Sequence, residues 1–191
     1  MDERPEDDLV EEARRGGREA FAGLVRLYER RVYGVVFRMA GDRSDADDLA
    51  QEVFLTAWRS IASFRRGSSF YTWIYRIAVN VSLTFLRKRR REKDRAEFQE
   101  NIAGVDTGRD DPFSPEGSSS RAELRVRMDE AIASLPGHFR ASFVLVMDQG
   151  LSHADAAGIL GCSENTVSWR MHKARKILQA RLKPYLGEVR S

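Results

Sequence analysis

The sequence predicts an all-α protein built of two small helical domains joined by a flexible linker, and three observations carry that expectation. Gly and Pro are sparse before residue 100, while apolar residues recur mainly at steps of three and four, the period of a buried helix face. Between about Asn101 and Ser120 the chain turns to Gly, Asp, Pro and Ser, with few apolar residues and no periodicity. Helical spacing then resumes and ends in two capped segments around a Gly turn. The expected divisions are 1–95 for the first domain, 96–120 for the linker and 121–191 for the second domain.

The first helix of the amino-terminal bundle is expected from Glu19 to Met39. Phe21, Leu24, Val25, Tyr28, Val32, Val35 and Val36 form its buried stripe, and Gly41 ends it. The next begins after Ser44, which together with Asp47 resembles a capping box, and runs to about Ser60. Ala46, Leu49, Ala50, Val53, Ala57 and Trp58 face inward. Asp48, Gln51, Glu52 and Leu55 stay outside or at the margin, an acidic surface with an exposed Leu.

A third segment, Thr72 to Arg95, contains no Gly or Pro. Val79 to Phe85 alternates as a half-buried strand would, but the length favours a helix, with Ile74, Ile77, Ala78, Val81 and Phe85 inward. Trp73, Arg76, Asn80, Thr84 and Arg87 then share the opposite face. Six rings (Phe64, Phe70, Tyr71, Trp73, Tyr75, Phe85) precede the basic run Arg87, Lys88, Arg89, Arg90, Arg91. Unpaired bases stack on aromatic side chains at about 1–3 kcal/mol each while cations hold the phosphates, so this pairing suits single-stranded nucleic acid. A helix with core rings and a solvated basic end is the competing reading.

In the second domain Leu124, Met128, Ile132 and Leu135 mark a helix broken by Pro136-Gly137, and Phe139 to Met147 is expected to be helical like its neighbours. Ser152 with Asp155 caps a short helix to Leu160. Gly161 turns the chain, and Ser163 caps a last helix rich in cations: a helix-turn-helix. Val167, Met171, Ala174 and Leu178 pack inward. Asn165, Ser168, Trp169, His172 and Lys173 are assigned to base edges or the groove, and Thr166, Arg170, Arg175 and Lys176 to phosphate or support roles.

The net charge of +3 hides segregation: acidic residues gather at Asp2 to Glu12 and Asp42 to Glu52, basic ones at Arg87 to Arg95 and Arg170 to Lys183. Such patterning suits a protein with several partners. A single cysteine, Cys162, leaves no intramolecular disulfide, and no Cys/His cluster has zinc spacing. No metal, cofactor or small-molecule substrate is expected. Neither a leader nor an apolar run of about 18 residues is seen, so a reducing, cytoplasmic setting is expected.

Together these modules resemble a sigma factor of the extracytoplasmic-function class within the sigma-70 family. The segment DADDLAQEVFLTAW at 45–58 is similar to the part of domain two that docks on the β′ clamp helices of core RNA polymerase, which implies a binding surface at Asp48, Gln51, Glu52 and Leu55. The segment FYTWIYRIAVN at 70–80 resembles the part that melts and reads the minus-ten element. By that match Phe64 and Ser68 to Phe70 lie in or beside a base-capturing loop, and Tyr75, Arg76 and Asn80 contact the melted strand. Trp73, Arg87 and Lys88 join that surface. Residues 135–176 resemble domain four, which reads the minus-thirty-five element of promoter DNA and touches the β flap. Where the family often has a basic residue then Ser after Thr-Val, this chain has Ser168 and Trp169, so those contacts do not transfer unchanged.

The resemblance also implies a cognate anti-sigma factor, often membrane-tethered, that covers the polymerase-binding surfaces, and the wording is similar to members governing cobalt and nickel resistance. The residues alone leave a rival: a polymerase-independent helix-turn-helix regulator whose first domain senses or dimerises. An enzyme acting on nucleic acid ranks below both, because no carboxylate cluster has His or Cys ligands and no phosphate-cradling Gly-Lys loop is present.

Overall fold

The structure is a computed structural model describing residues 5–65, 67–103 and 120–186, with side chains described for 5–65, 67–96 and 126–185. Helix α1 (Glu6–Arg14) carries Glu6, Asp7 and Asp8 in its first turn, where carboxylates meet the positive end of the helix dipole. Helix α2 (Arg18–Ala40) buries Leu24, Tyr28, Val32, Val35 and Val36 of the expected stripe together with Met39, while Phe21 and Val25 are only half-buried. Gly41 stops it at φ 81°, a left-handed conformation that strains an L side chain but not glycine.

Helix α3 (Arg43–Ser60) corrects the expected cap. Asp42, not Ser44, takes that position, and its carboxylate accepts from the Asp45 N–H at 3.1 Å. An anion there satisfies an orphan donor and also complements the dipole, so the earlier acidic residue starts the helix and Ser44 falls inside the first turn. Ala46, Leu49, Val53 and Ala57 are buried, while Ala50 and Trp58 are half-buried at the margin.

A single-turn 3-10 segment (Ile61–Ser63) leads to helix α4 (Phe70–Ala103), so Val79 to Phe85 is helical despite its alternation. The helix continues past the boundary expected at 95. Its buried line is Ile74, Tyr75, Ala78, Val79 and Ser82, with Ile77, Val81 and Phe85 only half-buried. The stripe is rotated from the expected one because α4 is packed by elements of both domains. Ser82 tolerates burial by donating to the Ala78 carbonyl at 2.8 Å.

Residues 104–119, most of the expected linker, lie outside the described residues, as does the side chain of Leu124. Helix α5 (Ser120–Ala133) and the turn after it bury Ala131, Ile132 and Leu135, but Met128 is exposed. Helix α6 (Gly137–Phe143) runs on into one π turn (Val144–Asp148), which makes Phe139 to Met147 helical as expected. Helix α7 (His153–Leu160) and helix α8 (Glu164–Leu186) complete the second domain.

The domains meet: α4 packs on α6 and α7, and α2 packs on α5 and α6. Among the described residues no helix is long and apolar enough to cross a membrane.

Candidate nucleic-acid interface

Three surfaces arise from this packing. On α3, Asp48, Gln51 and Glu52 are exposed, and Leu55 shows 47 % of its surface. Beside them is an open groove of about 520 Å³ lined by Val25, Glu29, Tyr33, Ala50, Gln51 and Phe54. An apolar floor with a charged rim is the chemistry of a protein-docking surface rather than of a catalytic pocket.

The second surface is on α4, and here the structure corrects several expectations. Phe64 and Phe70 are each only 4 % exposed. Their rings sit 5.9 Å apart, Trp73 lies 5.1 Å from the first and 5.4 Å from the second, and Tyr28 of α2 packs edge-on to Phe70 at 5.3 Å. Offset and edge-on rings satisfy one another's quadrupoles and leave no free face for a base, so Phe64 and Phe70 anchor the loop rather than line its outside. Tyr75 is also buried, its ring tilted 34° against that of Tyr71 at 4.4 Å, and burial pushes its phenol pKa up. Trp73 and Ser68 are half-buried. Arg76, Asn80, Arg87 and Lys88 are exposed as expected.

Further along α4, Thr84, Arg87, Lys88, Arg91, Glu92 and Arg95 line a shallow groove of about 330 Å³. Lys88 and Glu92 pair only at 3.9 Å, an exposed contact of little energy that a phosphate would readily replace. Four cations and one carboxylate thus line the groove.

The third surface is the helix-turn-helix, and its local chemistry follows the sequence closely. Ser152 accepts from the Asp155 N–H at 3.0 Å and donates back to its carboxylate at 2.6 Å. Gly161 turns the chain at φ 62°, and Ser163 accepts from the Thr166 N–H at 3.2 Å. Val167, Met171, Ala174 and Leu178 are buried, which presents Asn165, Ser168, Trp169, His172, Lys173 and Lys176 to solvent. Trp169 is 52 % exposed, held between an edge-on contact with Phe139 at 5.6 Å and Lys173 at 5.9 Å over its ring. Two residues of the phosphate-or-support set are turned inward. Thr166 shares a hydrogen bond with Ser163 at 2.8 Å, and half-buried Arg170 reaches back to the Cys162 Sγ at 3.8 Å, so both brace the turn.

The Sigma-70 region 2 family model matches residues 24–92, and the Sigma-70 region 4 model matches residues 125–178. The chain is 37 % identical to the RNA polymerase sigma-H factor of Pseudomonas aeruginosa over 188 residues, covering 96 % of this chain and 97 % of that protein. It belongs to the sigma-70 family, in the extracytoplasmic-function class. The ECF RNA polymerase sigma-E factor of Haemophilus influenzae is also 37 % identical, over 93 % of this chain and 95 % of its own. Among solved structures, the sigma factor RpoE of Bartonella quintana in complex with the anti-sigma factor NepR aligns with a TM-score of 0.62 at 26 % identity, over 85 % of this chain and 96 % of that one. CnrH, solved with the cytosolic domain of CnrY, shares the fold at a TM-score of 0.66 and 24 % identity, over 92 % of this chain and 96 % of its own.

Sequence reasoning about this sigma factor missed how the domains meet. Arg76 does not project freely: its Nη2 donates to the Gly158 carbonyl of α7 at 2.6 Å. The Tyr75 hydroxyl donates to Gln149 Oε1 at 3.2 Å. Arg38, in the last turn of α2, pairs with Asp129 and, at 3.1 Å, with Asp148. Arg140 is 5 % exposed, and its Nη1 donates to the Met39 carbonyl at 2.6 Å. That carbonyl is among the last four of α2, which lack helical partners, so a cation from the second domain caps a helix of the first. Burial still pushes the Arg140 guanidinium down to about 10, and its Nε has no partner among the described residues. No local pattern marks Arg140 as interdomain, because its backbone carbonyl acceptor has no sequence signature.

Proposed function

We propose that this chain is an alternative sigma factor that binds core RNA polymerase and directs it to a promoter class, held inactive by an anti-sigma factor until needed. In this reading α3 docks on the polymerase through Asp48, Gln51, Glu52 and Leu55, and the second domain touches the β flap. Helix α8 reads the minus-thirty-five duplex through Asn165, Ser168, Trp169, His172 and Lys173, with Lys176 on phosphate. Arg76, Asn80, Arg87 and Lys88 hold the melted minus-ten strand beside Trp73, the ring left at that surface; Ser68 borders the loop, and Phe64, Phe70 and Tyr75 shape it from beneath. Duplex opening is driven by captured bases: extrusion costs roughly a few kcal/mol, comparable with what stacking and phosphate contacts return. The protein acts by binding, catalyses no reaction of its own, and works in the cytoplasm.

The observation that carries this reading is the exposed acidic strip of α3 with Leu55 at its centre. A polymerase-independent regulator has no use for it. An anti-sigma partner is supported by the Bartonella structure, solved in complex with the anti-sigma factor NepR.

The test is association with core polymerase. The purified chain is expected to co-migrate with core and to lose that association when Leu55→Asp is introduced without loss of folding. Failure of the folded wild-type chain to bind core, with binding to duplex DNA intact, favours the free regulator. A promoter library read with the same complex reports which genes it serves, including any for cobalt or nickel tolerance.

A further inference from the structure

Trp169 is an apolar ring in a polar and cationic setting. Among the described residues it is the only large apolar side chain left exposed on α7 or α8, and Asn165, His172, Lys173 and Lys176 share its face of the helix. An exposed apolar surface built to meet another protein is a contiguous patch. A lone indole between cations and an amide instead suits a partner whose charge is on phosphates and whose apolar features are small and single.

Its place and posture point the same way. Trp169 follows buried Val167 by two residues, about 200° round the helix, so it projects from the middle of the face opposite the core. It also lies in the second turn of α8, in the amino-terminal part that a groove-docked helix turns toward base edges. The ring is held rather than free to swing. Phe139 of α6 meets it at 5.6 Å and 70°, Phe139 is itself packed on His138 at 4.4 Å, and Lys173 Nζ lies 5.9 Å over the indole. A side chain already fixed in one position gives up little freedom on binding.

The major groove presents hydrogen-bonding edges at every base pair but only one apolar group, the C5 methyl of thymine. Asn165, Ser168 and Lys173 can answer the polar edges; the carbon surface of an indole has only that methyl to meet. We propose that Trp169 is a thymine-methyl reader: in duplex bound by α8 it packs against the C5 methyl of a thymine and sets the preference for that base at the contacted position. This rests on reading α8 as the duplex-reading helix.

The probes are a duplex selected from a random library by the full chain, and the same duplex built with deoxyuridine in place of every thymine, which removes the methyl groups and leaves the base pairing unchanged. Both are titrated by anisotropy at one salt concentration. Wild type is expected to bind the deoxyuridine duplex about fourfold more weakly, the ratio that burial of one methyl group confers. Trp169→Ala, a change at an exposed side chain, is expected to bind the two duplexes equally, while Trp169→Phe keeps part of the ratio. Comparing the ratios of wild type and Trp169→Ala cancels any effect of the methyl groups on DNA stiffness. A wild-type ratio near one, or the same ratio in Trp169→Ala, overturns the assignment. If Trp169→Ala loses affinity for core polymerase with the methyl ratio intact, the indole is a protein anchor and the assignment is equally overturned. A selection that enriches no duplex unseats the reading of α8 itself, and this inference with it.

Discussion

His153 Nδ1 lies 2.9 Å from Ser168 Oγ, joining the first turn of α7 to the outer face of α8. The short side chain of Ser168 is thus oriented by an imidazole from the neighbouring helix. A hydrogen bond of this kind contributes about 0.5–1.5 kcal/mol net. His153→Ala is therefore expected to weaken minus-thirty-five duplex binding by about three- to tenfold and to relax base preference at the contacted position. A double-mutant cycle with Ser168→Ala, read by anisotropy at fixed salt, checks it: additive losses show that the two residues do not act together.

Phe70 and Asn80 are expected to separate stability from function. Phe70 is enclosed by Tyr28, Phe64 and Trp73, so Phe70→Ala should lower stability by about 3–5 kcal/mol in denaturant unfolding. Asn80 is exposed, and Asn80→Ala should leave the unfolding curve unchanged while reducing promoter opening, followed by permanganate reactivity of unpaired thymines. Intact opening with Asn80→Ala removes that residue from the strand-reading set.

Leu55 is the exposed apolar centre of the α3 strip. Leu55→Asp is expected to cost about 2 kcal/mol or more of core-polymerase affinity, about thirtyfold in Kd, with no loss of thermal stability. A fluorescence titration with core polymerase measures it, and an unchanged Kd places docking elsewhere.

His138 gives a pH dependence with a definite sign. Burial and then the neighbouring Arg170 hold its imidazole below the usual value of about 6.5. The unfolded chain takes up this proton first as pH falls. The contribution to stability is thus complete above about pH 6.5 and is lost as pH drops through the lower folded value. Between about pH 7.5 and pH 5.5 the wild type should lose more melting temperature than His138→Gln; parallel slopes would show that His138 does not carry the effect.

Helix-turn-helix residues were the most legible in the sequence, because caps, turn and buried face are all local: Ser152, Gly161, Ser163 and the Val167 to Leu178 stripe stand as their spacing predicts. The acidic face of α3 was legible for the same reason, although the cap is Asp42 rather than the expected Ser44, two residues earlier. The rings before and within α4 were misread in part. Ring type alone does not tell a core aromatic from a stacking one, and Phe64, Phe70 and Tyr75 are buried by partners distant in sequence, Tyr28 and Gln149 among them. The contact of Arg76 with Gly158 was not legible at all, since its acceptor is a backbone carbonyl more than eighty positions away.

Run-off transcription with purified core RNA polymerase on a promoter library tests the account most directly. Core plus this chain is expected to yield discrete transcripts from a restricted promoter set, and core plus the Leu55→Asp variant, shown to be folded, is expected to yield none of them. Transcripts unchanged from core alone, with wild-type chain shown to be folded and present in excess, would contradict the account.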